Sequence, residues 1–582
     1  MRKYILLTLL ASLFGFQLLN ALPARPGKYT VTQPDGSRLV VQRHGDEWGH
    51  WLTDESGRMV RQEEDGFYRI VSDGEAASIR QQASLRRNLR RRFQTEQAAR
   101  RGKNAVLGQR HFLVILVEFN DLSFKAENDR QAFDDKMNLP GYSRIGGTGS
   151  ARDFYFENSG ERFEPIFDVY GPVKLSEDYA YYGKNDNWGY DEHPEEAVAD
   201  GCRALDEEVD FSIYDNDGDG KVDLVFMYYA GYGEADGGSA NTIWPHQYEL
   251  SYAGISLTLD DVIIDSYACS NELVGYGELK GKMDGIGAAC HEFGHAMGLP
   301  DFYDTDDYQG GYAGGLYSYS TMDGGCYNNE GRTPPYFNFE ERMLLGWVDE
   351  SDYLEFGETG TYTMGPINDN VAYRTSTDMD GEYFVYENRT RTGWDKYLPG
   401  EGMVVYHVDK SSRRIGGSTA QELWANWQMS NSINASGSHP CFYVVPAANQ
   451  SSLNYSYEGR MPFPYGTVDY YVPLNWNGLE GEITFSEIDH ANGTVSLRAR
   501  VPSGELDYNV IADPGGYSAG DRFYFELEEA EDRHPDSVEW FFDDEPVQAD
   551  SVTLTAGAHV IEALLTYSGG VSERLMLEIE VE

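Results

Sequence analysis

The sequence predicts a multidomain chain in which one α/β (α+β) unit is flanked by a small β-rich unit in front and by β modules behind. Three observations carry this. At 582 residues the chain exceeds what a single hydrophobic core supports. Its texture changes twice, at a basic stretch near residue 100 and again near residue 350. Only the middle portion mixes solid apolar runs with helical periodicity.

The first residues place Arg2 and Lys3 before an apolar run from Tyr4 to Leu19, followed by the small Ala21, the pattern of a signal peptide over 1–21. The run is short for a bilayer span, so the mature protein is expected to be exported, with no transmembrane anchor. From Tyr29 to Val71, alternating stretches separated by PDG, ESG and EDG predict short strands and turns. Residues 80–110 then hold ten Lys or Arg and only Glu96 as an acid. Such a stretch reads as a solvated helical linker and as a site for trypsin-like cleavage. Residues 22–108 are therefore expected to be a propeptide with its basic linker, removed by an activating protease.

Residues 109–350 form the expected central domain. HFLVILVEFND (His111–Asp121) reads as a strand buried on both faces. Glu195–Phe211 has helical spacing, and Leu224–Gly231 reads as a second strand. Residues 351–503 are expected to be a β-rich, sandwich-like domain, and 504–582 an Ig-like module without a disulfide. Five cysteines do not make a disulfide scaffold, and the odd count leaves at least one thiol unpaired within the monomer. With 96 acidic against 46 basic residues, the formal charge of −50 argues against nucleic acid as a partner and favours divalent cations.

The chemistry concentrates in HEFGHAMGLPD, residues 291–301. On a helix, residues four apart share a face, so His291 and His295 can aim both imidazoles at one cation. Glu292 sits one step round, placed to act as a general base rather than as a ligand. Gly298 and Pro300 end the helix and let the chain double back, bringing Asp301 in as a third ligand. Two imidazoles and one carboxylate leave a tetrahedral position open, as a catalytic zinc site requires, so Zn2+ is the expected metal. Peptide hydrolysis follows, with protein or peptide substrates. Downstream, Met322 in a Gly-rich turn is expected to floor the ligands.

HEFGHAMGLPDFYD and the Met322 turn resemble the metzincin clan of zinc peptidases, and specifically the immune inhibitor A-like family, in which an aspartate replaces the usual third histidine. FLVILVEFND, YDNDGDGKVDLVFMYYAG, IWPHQ, FEERMLLGWV, YFVYENR, WDKYLPGEGMVVYHVD and HPCFYVVPAA agree, carrying the resemblance from about residue 30 to 500. It implies a metzincin-like catalytic domain with His291, His295 and Asp301 as ligands and Glu292 as base. One departure is Tyr229, which precedes Ala230-Gly231 where many relatives have a histidine.

A second cation site is expected at Asp215–Asp223, DNDGDGKVD, where alternate carboxylates resemble the start of an EF-hand loop. Asp215, Asp217, Asp219 and the Lys221 carbonyl are the expected Ca2+ ligands, with Asp223 substituting for the glutamate such loops carry at their end. For latency, no cysteine precedes Cys202, so a cysteine switch is excluded; Asp46 or Glu47 in RHGDEWGHW is the candidate occupant of the open metal position. The leading reading is a secreted zinc endopeptidase made as a zymogen. The competing ones are an adhesion protein with a relic protease domain, which the intact Glu292 opposes, and an exopeptidase using Glu340 or Glu341 as third ligand.

Overall fold

The computed structural model describes residues 19–46, 49–63, 65–81, 106–186, 189–305, 311–501, 510–512, 518–527, 537–543, 545–547, 551–566 and 572–581. The apolar run of the expected signal peptide before Leu19, most of the basic linker and Glu47 lie outside these residues.

The chain is a multidomain mixture of helices and β-sheets that divides into two compact units. The larger comprises the chain up to 355 together with 362–481 and 486–497; the smaller comprises 356–361, 482–485 and 498–582. In the first unit the front segment contributes β1 (Leu19–Ala21) and then a five-stranded antiparallel sheet. Its strands are β2 (Lys28–Thr32), β3 (Arg38–Asp46), β4 (Gly49–Asp54), β5 (Met59–Gln62) and β6 (Tyr68–Ile70), each paired with the next.

The central sheet is built from β7 (Gly108–Glu118), β8 (Phe163–Lys174), β9 (Val225–Tyr232), β10 (His246–Glu249) and β11 (Ser266–Leu273). Its order is β1-β10-β11-β9-β7-β8. β8, β7, β9 and β11 run parallel, whereas β10 is antiparallel to β11 and β1 is antiparallel to β10. Because side chains alternate along a strand, β7 feeds two cores. Phe112, Val114 and Leu116 pack toward the helix Gly287–Met297, while Leu113, Ile115 and Val117 pack toward the helix Pro194–Ala204. Covering both faces is what demands an unbroken apolar run.

The helix expected to reach Phe211 ends at Ala204. Its natural continuation, DEEVD, would put four acids at the negative end of the helix dipole, so the chain turns instead. Leu205, Val209 and Phe211 still reach the core, Phe211 from a short 3-10 turn whose first N–H donates to Asp260.

Beyond the central domain, β12 (Tyr373–Ser376), β13 (Glu382–Arg389), β14 (Gly402–Asp409) and β15 (Phe442–Val445) form an antiparallel sheet. Tyr383, Val404 and Phe442 belong to the same core as Phe112 and Phe293, so the hydrophobic packing runs through residue 350 without interruption. The second unit includes an antiparallel sheet of Val510–Ala512, Arg522–Leu527 and Ser551–Thr553 and another of Glu545–Val547, Ser537–Phe542, Gly557–Thr566 and Ser572–Val581. Phe523, Phe525 and Ile561 are buried in its core. All five cysteines are buried free thiols.

Candidate metal centre and cleft

The helix Gly287–Met297 lies in the core with His291 and Glu292 fully buried and His295 nearly so. It stops at Gly298, whose φ of +115° is left-handed and whose N–H bonds to the carbonyls of Gly294 and His295. A residue with a Cβ would be strained there, so glycine is what lets the chain reverse. After the reversal, Asp301 Oδ1 lies 3.1 Å from His291 Nε2 and 3.3 Å from His295 Nε2, and the two Nε2 atoms are 3.0 Å apart.

The tautomers follow from the other ring nitrogens. His291 Nδ1 lies 2.8 Å from the Thr321 carbonyl and His295 Nδ1 2.8 Å from the Leu299 carbonyl. A carbonyl only accepts, so each neutral ring carries its proton on Nδ1 and turns a bare lone pair inward from Nε2. Two lone pairs and a carboxylate oxygen cannot satisfy one another. A cation among them can, and the spacing approaches the edge of about 3.3 Å of a tetrahedron with ligand bonds of 2.0–2.1 Å. The donor set and geometry therefore fit zinc.

Burial drives the His291 imidazole toward its neutral form. Burial also works to raise Asp301, but the adjacent histidines overcome it and hold the carboxyl well below the ordinary range. Glu292 is pushed well above the usual carboxylate range by burial first and by Asp301 second. Its Oε2 has no hydrogen-bond partner among the described residues.

Three supports were not visible in the sequence. Asn431 holds Asp301 from both sides: its Oδ1 accepts from the Asp301 N–H at 3.0 Å, and its side-chain amide donates to Asp301 Oδ2. Trp427 stacks near His295, with ring centroids 6.4 Å apart. Both come from a segment more than 120 residues downstream, and a lone Asn between Ser430 and Ser432 gives no sequence signal. The third support is Thr321, whose carbonyl fixes His291. Its neighbour Met322 is fully buried with Sδ against Gly294, where an added Cβ would come within 2.7 Å; glycine between the two histidines admits the sulfur.

The front segment packs beside the helix. β1 adds to the edge strand β10 in antiparallel register, Ala21 opposite His246. The next residue, Leu22, donates its N–H to Glu292 Oε1 at 2.9 Å. Farther along, Arg43 Nη1 pairs with Glu234 at 2.7 Å, and His50 stacks on Trp244 at 4.2 Å between centroids. Asp46 is 1% exposed; its carbonyl lies 3.1 Å from His50 Nδ1, and it is not part of the group formed by His291, His295 and Asp301. Glu340 takes hydrogen bonds from Tyr353 and Tyr383 and an ion pair from Lys410, and Glu341 completes a capping box with Asn338; neither joins the histidines.

In the acidic loop, carboxylate oxygens of Asp215, Asp217 and Asp223 converge within 4.8 Å. Asp219 is not part of that group; its Oδ1 accepts from the Lys221 N–H at 2.9 Å, and the Lys221 Nζ lies 4.0 Å from Asp265. Asp215 accepts from the N–H groups of Asp219 and Gly220. Asn216 ties Asp223 and the His111 carbonyl together at 2.8 and 2.9 Å, joining the loop to β7.

A parallel-stranded sheet backing a buried two-histidine, one-carboxylate centre with an adjacent glutamate defines the class as a metallopeptidase domain. Residues 104–343 match the model of the immune inhibitor A peptidase M6 catalytic domain. Immune inhibitor A of Bacillus thuringiensis subsp. alesti is 24% identical over 306 residues, covering 44% of each chain. Pre-pro-metalloprotease PrtV of Vibrio cholerae serotype O1 (strain M66-2) is 29% identical over 177 residues, 27% of this chain and 19% of that protein. The chain thus aligns with less than half the length of these relatives. A solved structure, wild-type OgpA from Akkermansia muciniphila, aligns over 83% of this chain and 97% of its own at 10% identity with a TM-score of 0.23, a likeness on which no argument rests.

Proposed function

We propose that the protein is an exported zinc endopeptidase, made as a zymogen whose front unit fills the cleft until the basic linker is cut. The single observation that supports this most is the inward convergence of His291 Nε2, His295 Nε2 and Asp301 Oδ1, with both Nδ1 atoms already engaged. When bound, zinc supplies Lewis acidity to a substrate carbonyl and acidifies a water. The remaining work belongs to the chain. Glu292, buried and one helical step from the residues that would hold zinc, is placed to take a proton from an attacking water and hand it to the departing nitrogen. Its Oε1 is already 2.9 Å from a peptide nitrogen, that of Leu22. β10 binds the extended substrate by strand addition, as it binds β1.

Latency in this reading rests on Leu22 to Arg25, which remain after export processing at Ala21, rather than on Asp46, because Leu22 is the residue that engages Glu292. Export accords with the charged, then apolar, start of the sequence, and no helix among the described residues is long and apolar enough to cross a membrane. The loop of Asp215, Asp217 and Asp223 binds Ca2+ and fixes β9, which follows it.

The test is hydrolysis of an unstructured protein by the trypsin-nicked full chain. Activity is expected to vanish with chelator and return with zinc, and Glu292→Gln is expected to lower it about 10³-fold. Equal cleavage by wild type and Glu292→Gln, or no cleavage by folded, zinc-loaded protein, would remove the enzyme reading.

A further inference from the structure

The front segment lies in the cleft in a definite direction, and its side chains as well as its backbone are received. Leu22 is 1% exposed, packed among Ala235, Trp244, Ala288 and Cys326. Its carbonyl accepts from Trp244 Nε1 at 3.0 Å, and the Pro23 carbonyl accepts from the Tyr327 hydroxyl at 2.8 Å. Arg25 donates its backbone N–H to the Ala235 carbonyl at 3.3 Å. The Arg25 guanidinium reaches Asp236 Oδ1 at 2.6 Å and lies 4.4 Å from the centre of the Tyr276 ring. Asp236 is almost fully buried, and its second oxygen accepts from the Gly275 N–H at 2.8 Å, so the carboxylate is fixed toward Arg25.

Because the Leu22 nitrogen faces Glu292, the Ala21–Leu22 bond is the one presented to the general base. Leu19 to Ala21 pair with β10 on the acyl side of that bond, and Leu22 to Arg25 occupy the side that leaves as an amine. We propose that this stretch is a built-in copy of the preferred substrate: the cleft takes an aliphatic residue directly after the cut bond, in the pocket of Trp244, Ala288 and Cys326, and an arginine three residues further on, held by Asp236 and Tyr276. The proposal rests on the peptidase reading and names its substrate class. Hydrolysis at such a site breaks the C–N bond, places the water's oxygen on the acyl carbon and its protons on the new amine and carboxylate, and needs no further reactant. Export processing that ended at Ala21 would leave the Leu22 amine at Glu292, as a product would lie.

Departure of the front unit strips Asp236 of Arg25 and Glu234 of Arg43. Burial, reinforced by Asp284, pushes Asp236 up to about 7 even with Arg25 beside it, so the buried carboxyl depends on a cation at that position. A charge-assisted hydrogen bond reinforced by a stacked aromatic face is the arrangement in which arginine differs most from other residues.

The experiment compares fluorogenic peptides containing Ala-Leu-Pro-Ala-Arg with counterparts ending in Ala or Glu in place of that Arg. The enzyme is the full chain carrying Leu22→Asp and Arg25→Glu, whose own segment no longer fits the cleft, alongside nicked wild type. The Arg peptide is expected to be cut after the first Ala with kcat/KM about tenfold or more above the Ala peptide and higher still over Glu. Asp236→Asn and Tyr276→Leu are each expected to shrink that ratio. Cleavage with an Arg-to-Ala ratio near one overturns the subsite and leaves the peptidase reading intact. If no peptide is cut, calorimetry with Leu-Pro-Ala-Arg amide against Leu-Pro-Ala-Ala amide on the same material decides the subsite alone. Tighter binding of the Arg probe sustains it, and equal or absent binding overturns it.

Discussion

The buried trio of His291, His295 and Asp301 and the outer group of Asp215, Asp217 and Asp223 both gather groups that could hold a cation, yet they are held in different ways. Each ligand of the buried trio is aimed by a partner distant in sequence or across a chain reversal: Thr321 for His291, Leu299 for His295 and Asn431 for Asp301. The outer group is shaped mostly by its own turn, with Asp215 collecting N–H groups four and five residues ahead. Where water is excluded, every charge needs a fixed partner, because an unpaired one costs several kcal/mol; at the surface, solvent supplies what the loop does not.

Lys136 gives the sharpest way to break that distinction, because it is fully buried and its Nζ has no hydrogen-bond partner among the described residues. Instead it lies 3.9 Å from the centre of the Tyr228 ring, and burial pulls its pKa down from 10.5 to about 8. A lowered native pKa means that between pH 8 and 10.5 the unfolded chain holds a proton the native chain lacks, so stability rises with pH across that window and is lost as pH falls toward 8. Lys136→Met is expected to abolish this slope and to stabilise the protein below pH 8 by about 3 kcal/mol, read by urea unfolding at several pH values. An unchanged slope would mean that burial is not what sets this charge's cost.

Asn431→Ala sharpens the comparison from the other side. It leaves the trio's three donor atoms in place but frees Asp301 to rotate, so zinc affinity is expected to fall about 10–100-fold, measured by chelator competition, with any Ca2+ affinity of the outer loop unchanged. Asn431→Asp, which restores an acceptor for the Asp301 N–H but adds a charge against its carboxylate, is expected to be no better than alanine.

The smallest effect belongs to the outer loop. Asp215→Ala removes the acceptor for two backbone N–H groups in a partly solvated turn, a loss of about 1 kcal/mol, or about 2–4 °C in Tm for a domain of this size. Peptide cleavage at moderate temperature is expected to persist, and loss of zinc in the same variant would show that the two sites are not independent.

Much of the centre was legible in the sequence because its determinants are local. Helical spacing puts His291 and His295 on one face whatever surrounds them, Gly298 and Pro300 fix where the chain reverses, and Asp301 follows within a few residues. The strand of β7 was legible for the same reason, since a solid apolar run allows few alternatives. The end of the helix after Pro194 was less so, because apolar periodicity continued past the point where the acids of DEEVD turn the chain.

What only the tertiary structure decided is everything that joins distant stretches. Nothing near Asn431 marks it as the clamp on Asp301, and no local pattern shows that Leu22 would meet Glu292 across 270 residues. In the front segment, sequence reasoning pointed to Asp46 because an acid can bind a metal, and the contact the structure adds there is the Leu22 N–H at Glu292. Spacing along one helix is set by covalent geometry and can be read directly. The partner of a sheet edge or of a buried carboxylate is chosen by packing over the whole core, and that choice has no local signature.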